Sequence, residues 1–345
     1  MNNTPLVSVV ILNYNGMKFI DACFTSLRRT TYANIEWIMV DNASQDNSVA
    51  HVQKNYPEFK IIGSCGNLGY TGGNNLGIRA AQGQYVVLLN NDVEVDPEWL
   101  SHLVDAAETD SRIGALQPKL QSMINKGYFE YAGASGGFID RWGYPFLRGR
   151  IFDTMEIDRG QYDDVREIFW ASGAALFLRK SALDTVGLLD ETFFMHFEEI
   201  DLCWRLHCCG FTIKVIPQAV VYHYVSASLP AQNIKKMYWN HRNSLMTLFK
   251  NLDSSRFMRT LFIRMLLDGI SAVYGLFAGE PQRLLAVLQA HFWMYGNWRL
   301  LLQKRREAAR TGKLPEKHFS HLIYPRSIVA DYFLKKKKEF HILGF

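Results

Sequence analysis

Leu6-Val-Ser-Val-Val-Ile-Leu12, followed at once by Asn13-Tyr-Asn-Gly16, is the stretch on which the fold turns. An apolar run this short, rich in β-branched residues and without helical spacing, predicts a strand buried on both faces, and the Asn/Gly cluster predicts where it stops. Outward from it, residues 19–28 read as a helix, 35–40 as a strand, 45–54 as a helix, 60–62 as a short strand, 73–81 as a helix and 85–89 as a strand. Strands separated by helices imply right-handed βαβ units, hence an α/β fold with a mostly parallel central sheet flanked by helices.

Ligands of such sheets bind beyond the carboxyl ends of the strands. Those ends carry Asn13-Tyr-Asn-Gly16, Asp41-Asn-Ala-Ser-Gln-Asp46 and Asn90-Asn91-Asp92. Each cluster alone suits a turn or a helix cap, with Ser44 or Asp46 as the capping residue, but three on one rim predict a ligand site. Asn67-Leu-Gly-Tyr-Thr-Gly-Gly-Asn-Asn75 adds a glycine-rich approach to a helix N-terminus, suited to anionic groups. No Gly-x-Gly-x-x-Gly follows the first strand and there is no Walker lysine, which argues against a dehydrogenase and a P-loop phosphotransferase.

Residues 194–205, Phe-Met-His-Phe-Glu-Glu-Ile-Asp-Leu-Cys-Trp-Arg, set three carboxylates inside an apolar, aromatic run. Desolvating so much like charge is costly. On a helix starting near Glu198, Asp201 pairs with Arg205 at i,i+4 as scaffold, which leaves Glu198 and Glu199 at the helix mouth as candidate general bases.

The chain has 345 residues, 48% hydrophobic and 21% charged, enough for one large α/β domain and an appendage. Its five cysteines show no Cys-x-x-Cys spacing, so buried thiols in a reducing compartment are expected. The opening residues lack a signal-peptide pattern, and a cytoplasmic location is expected. The net charge of +5 conceals an asymmetry: residues 1–230 carry 18 Lys and Arg against 26 Asp and Glu, net −8, and residues 231–345 carry 20 against 7, net +13. We therefore expect a catalytic body over 1–230 and a basic, amphipathic helical region over 231–345.

Four ordered blocks over residues 5–225 resemble the family-2 inverting glycosyltransferases with the GT-A fold. They are 7–16 with Val40-Asp41-Asn42-Ala43-Ser44; Asn67–Asn75 with Leu88-Leu89-Asn90-Asn91-Asp92; Trp170-Ala-Ser-Gly-Ala-Ala175 with Gly187-Leu-Leu-Asp-Glu191; and 197–205 followed by His223. The second and fourth look most like the rhamnosyltransferase branch. The resemblance implies that Asp41 holds the nucleotide base, that Asp92 and His223 bind Mg²⁺ or Mn²⁺, and that Glu199, with Glu198 as competitor, is the base. Asn13, Asn15, Asn67, Gly69, Gly73, Asn74, Asn90 and Asn91 would line the donor site. Asn90 stands where the family's Asp-x-Asp has its first Asp, and Glu199 where an Asp is usual. The implied partners are a nucleotide-diphosphate sugar, with thymidine-diphosphate rhamnose first and a uridine-diphosphate sugar second, and a glycan or polyprenyl-linked acceptor; no nucleic acid is expected.

Residues 133–137 and 144–150 read as loops, and Trp142, Tyr144, Phe146 and Trp170 as rings able to stack on sugar. Residues 261–279 have the length of a membrane span, but Arg264 and Asp268 would each cost about 2.5–3.5 kcal/mol at a bilayer centre. Arg264, Asp268, Ser271 and Gly275 form one stripe on an apolar helix, and Trp293, Tyr295 and Trp298 follow in a second apolar segment, residues 284–302. Peripheral attachment to the inner face of the plasma membrane, through its anionic surface, is the expectation, with a homo-oligomer face as the alternative.

Overall fold

A computed structural model of the chain describes residues 4–224, 233–312 and 314–345. The alternation is present as β1 (Val7–Asn13), α1 (Met17–Arg28), β2 (Ile35–Asp41), α2 (Ser48–Asn55), β3 (Lys60–Gly63), α3 (Gly69–Ala80) and β4 (Tyr85–Asn90). The continuous apolar run of β1 feeds two layers at once. Val7, Val9 and Ile11 enter the core beneath α1 and α4 (Trp99–Glu108), while Val10 enters the other face with Ile78 of α3. β5 (Val93–Val95) and β6 (Ile113–Ser122) come next, then four short strands, β7 (Gly137–Asp140), β8 (Pro145–Leu147), β9 (Arg150–Ile151) and β10 (Thr154–Met155). β11 (Arg166–Glu167), β12 (Ala175–Arg179), α5 (Lys180–Val186), α6 (Glu198–Cys208) and β13 (Thr212–His223) complete the front.

The main sheet has nine strands in the order β11-β13-β6-β12-β4-β1-β2-β3, with β5 on β13. The pairs β1–β2, β1–β4, β2–β3 and β6–β13 are parallel, whereas β12 runs antiparallel to β4 and β6. A second sheet, β10-β9-β8-β7 extended by β14 (Ile323–Tyr324), covers the region expected to be loops. Its strands are two to four residues long and interrupted by Gly and Pro, which hid their alternation in the sequence.

α3 begins at Gly69, four residues before the expected start, so the glycine-rich segment lies inside the helix rather than ahead of it. The reason is packing. A Cβ on Gly73 would sit 2.4 Å from Leu12 Cδ1, so the glycine lets α3 lie directly on β1. Similarly, α2 starts at Ser48 because Asp46, ahead of it, accepts N–H bonds from both Ser48 and Met17, serving the first turns of α2 and α1. The cysteines are all free, but only Cys23 and Cys203 are buried; Cys65 is exposed.

The basic region supplies α7 (Ile234–Asn251), α8 (Phe257–Phe277), α9 (Pro281–Gly296) and α10 (Trp298–Thr311). The expected boundary at 230/231 lies outside the described residues. β14 (Ile323–Tyr324) then pairs in parallel with β7, α11 (Ile328–Phe333) follows, and Phe340 and Phe345 stack among Phe138 and Phe146. The chain end thus builds part of the second sheet and its core.

α8 is turned inside out. Arg264, Asp268 and Gly275 of the predicted stripe are buried against the protein. Arg264 donates to Asp268 (3.2 Å) and Ser244 (2.7 Å) and lies 3.8 Å from the Tyr144 ring centroid, so its charge is satisfied within the fold. The opposite face exposes Met258, Phe262, Leu266, Ile270, Val273 and Phe277. Among the described residues, this is the helix long and apolar enough to cross a membrane, and 28% of its most apolar window is buried.

Candidate active site

The strand ends meet on one rim, where many of their amides bond to one another. Asn13, fully buried, donates from Nδ2 to Asp41 (3.3 Å), Ser44 (3.1 Å) and Ser48 (2.9 Å) and accepts from Asn91 (2.8 Å). Asn42 donates to Asn67 Oδ1 and to the Gly69 carbonyl. Asn13 and Asn67 therefore set the rim's shape. Asn15 lies exposed at φ +51°, with Asp41 behind it. Gly73 and Asn74 are buried in the second turn of α3, Asn74 donating to the Tyr70 carbonyl, so the expectation that the helix starts at Gly73 is corrected. Gly69 does stand at that N-terminus, at φ +69°, where a Cβ would meet the Phe194 carbonyl at 2.3 Å.

Beyond β4, Asp92 lies beside His223, because β13 pairs antiparallel with β5 and sets His223 opposite Val93. His223 Nε2 is 3.1 Å from Asp92 Oδ1 and 3.2 Å from Asn90 Nδ2, and its Nδ1 is 3.1 Å from Glu130 Oε1. Burial alone would lower the pKa of His223; Glu130 and Asp92 outweigh it and raise it to about 10. The two carboxylates that favour a proton on His223 would equally favour a cation in place of the Nε2 proton, with Glu130 behind Nδ1 and Asp92 beside Nε2, so these residues fit a hard divalent metal. Glu130 was not anticipated; its signal was a lone carboxylate in the aromatic run Tyr128-Phe-Glu-Tyr131. Glu156, Glu339 and His341 also converge, but both oxygens of Glu156 accept bonds, from Tyr162 and the Phe340 N–H, and the other two residues are exposed.

α6 begins at Glu198 as predicted, and Asp201 is scaffold: it accepts from Arg205 (2.9 Å), Lys250 (2.9 Å) and Asn251 (2.8 Å). Glu198 is buried and Glu199 half-buried, each with one carboxylate oxygen lacking a partner among the described residues. Burial pushes Glu199 up to about 7 and, with the adjacent Glu199 charge, Glu198 well above the carboxylate range. Tyr70 lies in the field of both carboxylates, and its hydroxyl donates to the Gly173 carbonyl (2.6 Å). The neighbouring Ala174 carbonyl accepts from Asn90 N–H (3.0 Å), so the Gly173–Ala174 turn ties the acidic helix mouth to the rim.

The approach to α6 is strained: Phe194, His196 and Phe197 have φ of 64°, 69° and 70°. One amide holds it. Asn243 Nδ2, fully buried on α7, points at the carbonyls of Phe193 (3.1 Å), Met195 (2.7 Å) and His196 (2.8 Å), and Arg242 donates to Thr192 and Phe193. Nothing in the sequence flagged Asn243, which lies in a helix read only for its charge. Asn243→Ala takes the side-chain donor from the Met195 and His196 carbonyls, and we expect catalytic turnover to fall about tenfold or more with donor affinity unchanged, measured by steady-state kinetics.

The family model described as glycosyl transferase family 2 matches residues 8–181. An N-acetylglucosaminyl-diphospho-decaprenol L-rhamnosyltransferase of Mycobacterium tuberculosis is 26% identical over 260 residues, covering 71% of this chain and 84% of its own length. An uncharacterized protein of Sinorhizobium fredii is 30% identical over 240 residues, and there the match spans 66% of this chain but only 25% of the relative. In three dimensions, Staphylococcus aureus TarS 1–349 with UDP-GlcNAc superposes with a TM-score of 0.55 at 16% identity, covering 93% of each chain. A mannosyltransferase of Pyrobaculum calidifontis with GDP-Man and Mn²⁺ gives 0.52 at 15% identity, covering 90% of this chain and 86% of that one. The nine-stranded sheet, its polar rim and the match over residues 8–181 lead to one conclusion: this chain belongs to glycosyl transferase family 2 and has the GT-A fold.

Proposed function

We propose that the chain is a metal-dependent inverting glycosyltransferase that moves rhamnose from a thymidine-diphosphate donor to a lipid-linked or surface-polysaccharide acceptor. The observation that carries the reading is the pair Glu198–Glu199 at the mouth of α6, beside Tyr70, whose hydroxyl bonds the same Gly173–Ala174 turn that Asn90 bonds next to the Asp92–His223–Glu130 group. In this reading Asp41 takes the nucleotide base and Asn15, Gly69, Asn90 and Asn91 border the donor. Asp92 and His223 hold Mg²⁺ or Mn²⁺, which when bound neutralises charge growing on the leaving diphosphate. Glu199 takes the proton of the acceptor hydroxyl as that oxygen attacks the anomeric carbon, and a single displacement inverts the centre. Rhamnose rests on the name of the Mycobacterium tuberculosis relative; a uridine-diphosphate sugar is the second reading, favoured by TarS with UDP-GlcNAc. Thermal shift with Mn²⁺ and a panel of nucleotide sugars tests the choice. A shift with thymidine-diphosphate rhamnose alone supports the first reading, and one with UDP-sugars alone supports the second.

The reading includes attachment to an anionic membrane surface through the outer face of α8 and α9. Phe262, Leu266, Ile270, Phe292 and Tyr295 are exposed there, Arg259 and Arg299 lie exposed beside Met258 and Trp298, and Lys335, Lys336 and Lys338 follow exposed Phe333 and Leu334. Apolar area flanked by cations fits a bilayer interface, each cation near the surface contributing on the order of 1 kcal/mol. In liposome sedimentation, binding is expected to need anionic lipid, fall with salt, and be lost in the double variant Leu266→Glu, Ile270→Glu, whose positions are exposed. Dimerisation of the wild type that the same substitutions abolish, with no lipid binding, would assign the face to a second copy.

A further inference from the structure

A cavity of about 340 Å³ lies between the second sheet and helices α7 and α8. It reaches Phe197, the residue ahead of Glu198, and is lined by Tyr144, Phe152 and Trp170 together with Arg150, His241 and Arg264. Three of its walls were read from the sequence only as aromatic residues: Tyr144, Phe146 and Trp170 border it, while Trp142 does not. Its cations differ in their partners. Arg264 is neutralised by Asp268. Arg150 is held instead by the carbonyls of Phe152 and Tyr131 and by the Tyr131 ring, 3.2 Å from its centroid, with no carboxylate pair among the described residues. Lys236 adds positive charge nearby, and the Arg150 pKa is lowered, chiefly by burial. Glu130 and Asp153 act on it only at a distance. A guanidinium oriented by carbonyls and largely desolvated, with no carboxylate at ion-pair distance, in an aromatic cavity, is built for an anionic group attached to an apolar one.

Resting on the transferase reading above, we infer that this cavity is the acceptor subsite, and that Arg150 binds the diphosphate of a lipid-linked sugar whose hydroxyl faces Glu199. The placement suits the chemistry: the cavity adjoins the helix mouth through Phe197, and α8, which gives it Arg264, carries the exposed apolar row on its other face.

Geranyl diphosphate is the probe, titrated into the full chain in excess chelator and followed by tryptophan fluorescence, with geraniol and inorganic pyrophosphate as controls. The inference expects geranyl diphosphate to bind more tightly than either control. Arg150→Gln should weaken it about tenfold or more, Arg150→Lys should recover part of the loss, and Asp92→Asn should leave it unchanged. Ala132→Phe, which fills the cavity from a lining position without altering charge, should also abolish binding, so the case does not depend on Arg150→Gln folding. Binding lost with Asp92→Asn and kept with Arg150→Gln would put the probe at the donor site and overturn the inference. So would equal affinity for geraniol, or no binding. Donor-sugar hydrolysis by the same preparation reports separately on the transferase reading: hydrolysis without probe binding sinks the cavity assignment alone.

Discussion

Glu199→Gln is expected to lower sugar transfer by about 10²-fold or more while donor binding is retained. The substitution keeps the shape of the side chain and removes only its ability to take a proton. Burial and the Glu199 charge push the neighbouring Glu198 well above the carboxylate range, and Gln mimics its neutral form, so Glu198→Gln should stay active; the reverse pattern would move the base by one residue. Two pH effects follow from a carboxyl raised to about 7 by burial. A base must be ionised, so wild-type turnover should rise with pH through that range. Stability runs the other way, because the folded state holds a proton that the unfolded chain releases near its ordinary value of 4.5. The protein loses stability as pH climbs from there towards 7, and Glu199→Gln should melt higher than wild type at pH 8. Kinetics and thermal unfolding across pH 5–9 check both signs.

Asp92→Asn and His223→Ala are each expected to weaken divalent-ion and nucleotide-diphosphate binding together, since the two would share one cation. Titration calorimetry with Mn²⁺, with and without the nucleotide, measures this. Glu130→Gln should cost about 10–100-fold in metal affinity, because its carboxylate lies 3.1 Å from His223 Nδ1, on the far side of the ring from Asp92. Full activity of the wild type in excess chelator would end the metal assignment.

The parallel half of the sheet was legible because a both-face-buried strand leaves one unbroken apolar signature, as 85–89 does. Asp201 and Arg205 were legible because helical spacing alone dictates their contact. The glycine-rich segment hid the start of α3 because Gly signals close approach without saying to what: at Gly73 the close neighbour is Leu12 of β1. Glu130 and Asn243 were hidden for a different reason. Each acts at a distance in sequence, 93 residues from His223 and 47 from His196, and no local pattern encodes such a pairing. α8 was half legible: the stripe was found, but which side faced the protein depended on Ser244 and Tyr144, partners from other elements.

The parallel pairing of β14 with β7 has a consequence for how the protein is made. On the ribosome, residues 129–178 emerge well before 319–345, yet Phe138 and Phe146 find Tyr324, Phe340 and Phe345 only when that later segment arrives. Between those two moments the nascent chain carries an open aromatic patch, the kind of surface that recruits holding chaperones. The cavity wall built on β8 and β9 gains its backing only after the whole helical region between them and β14 has been made.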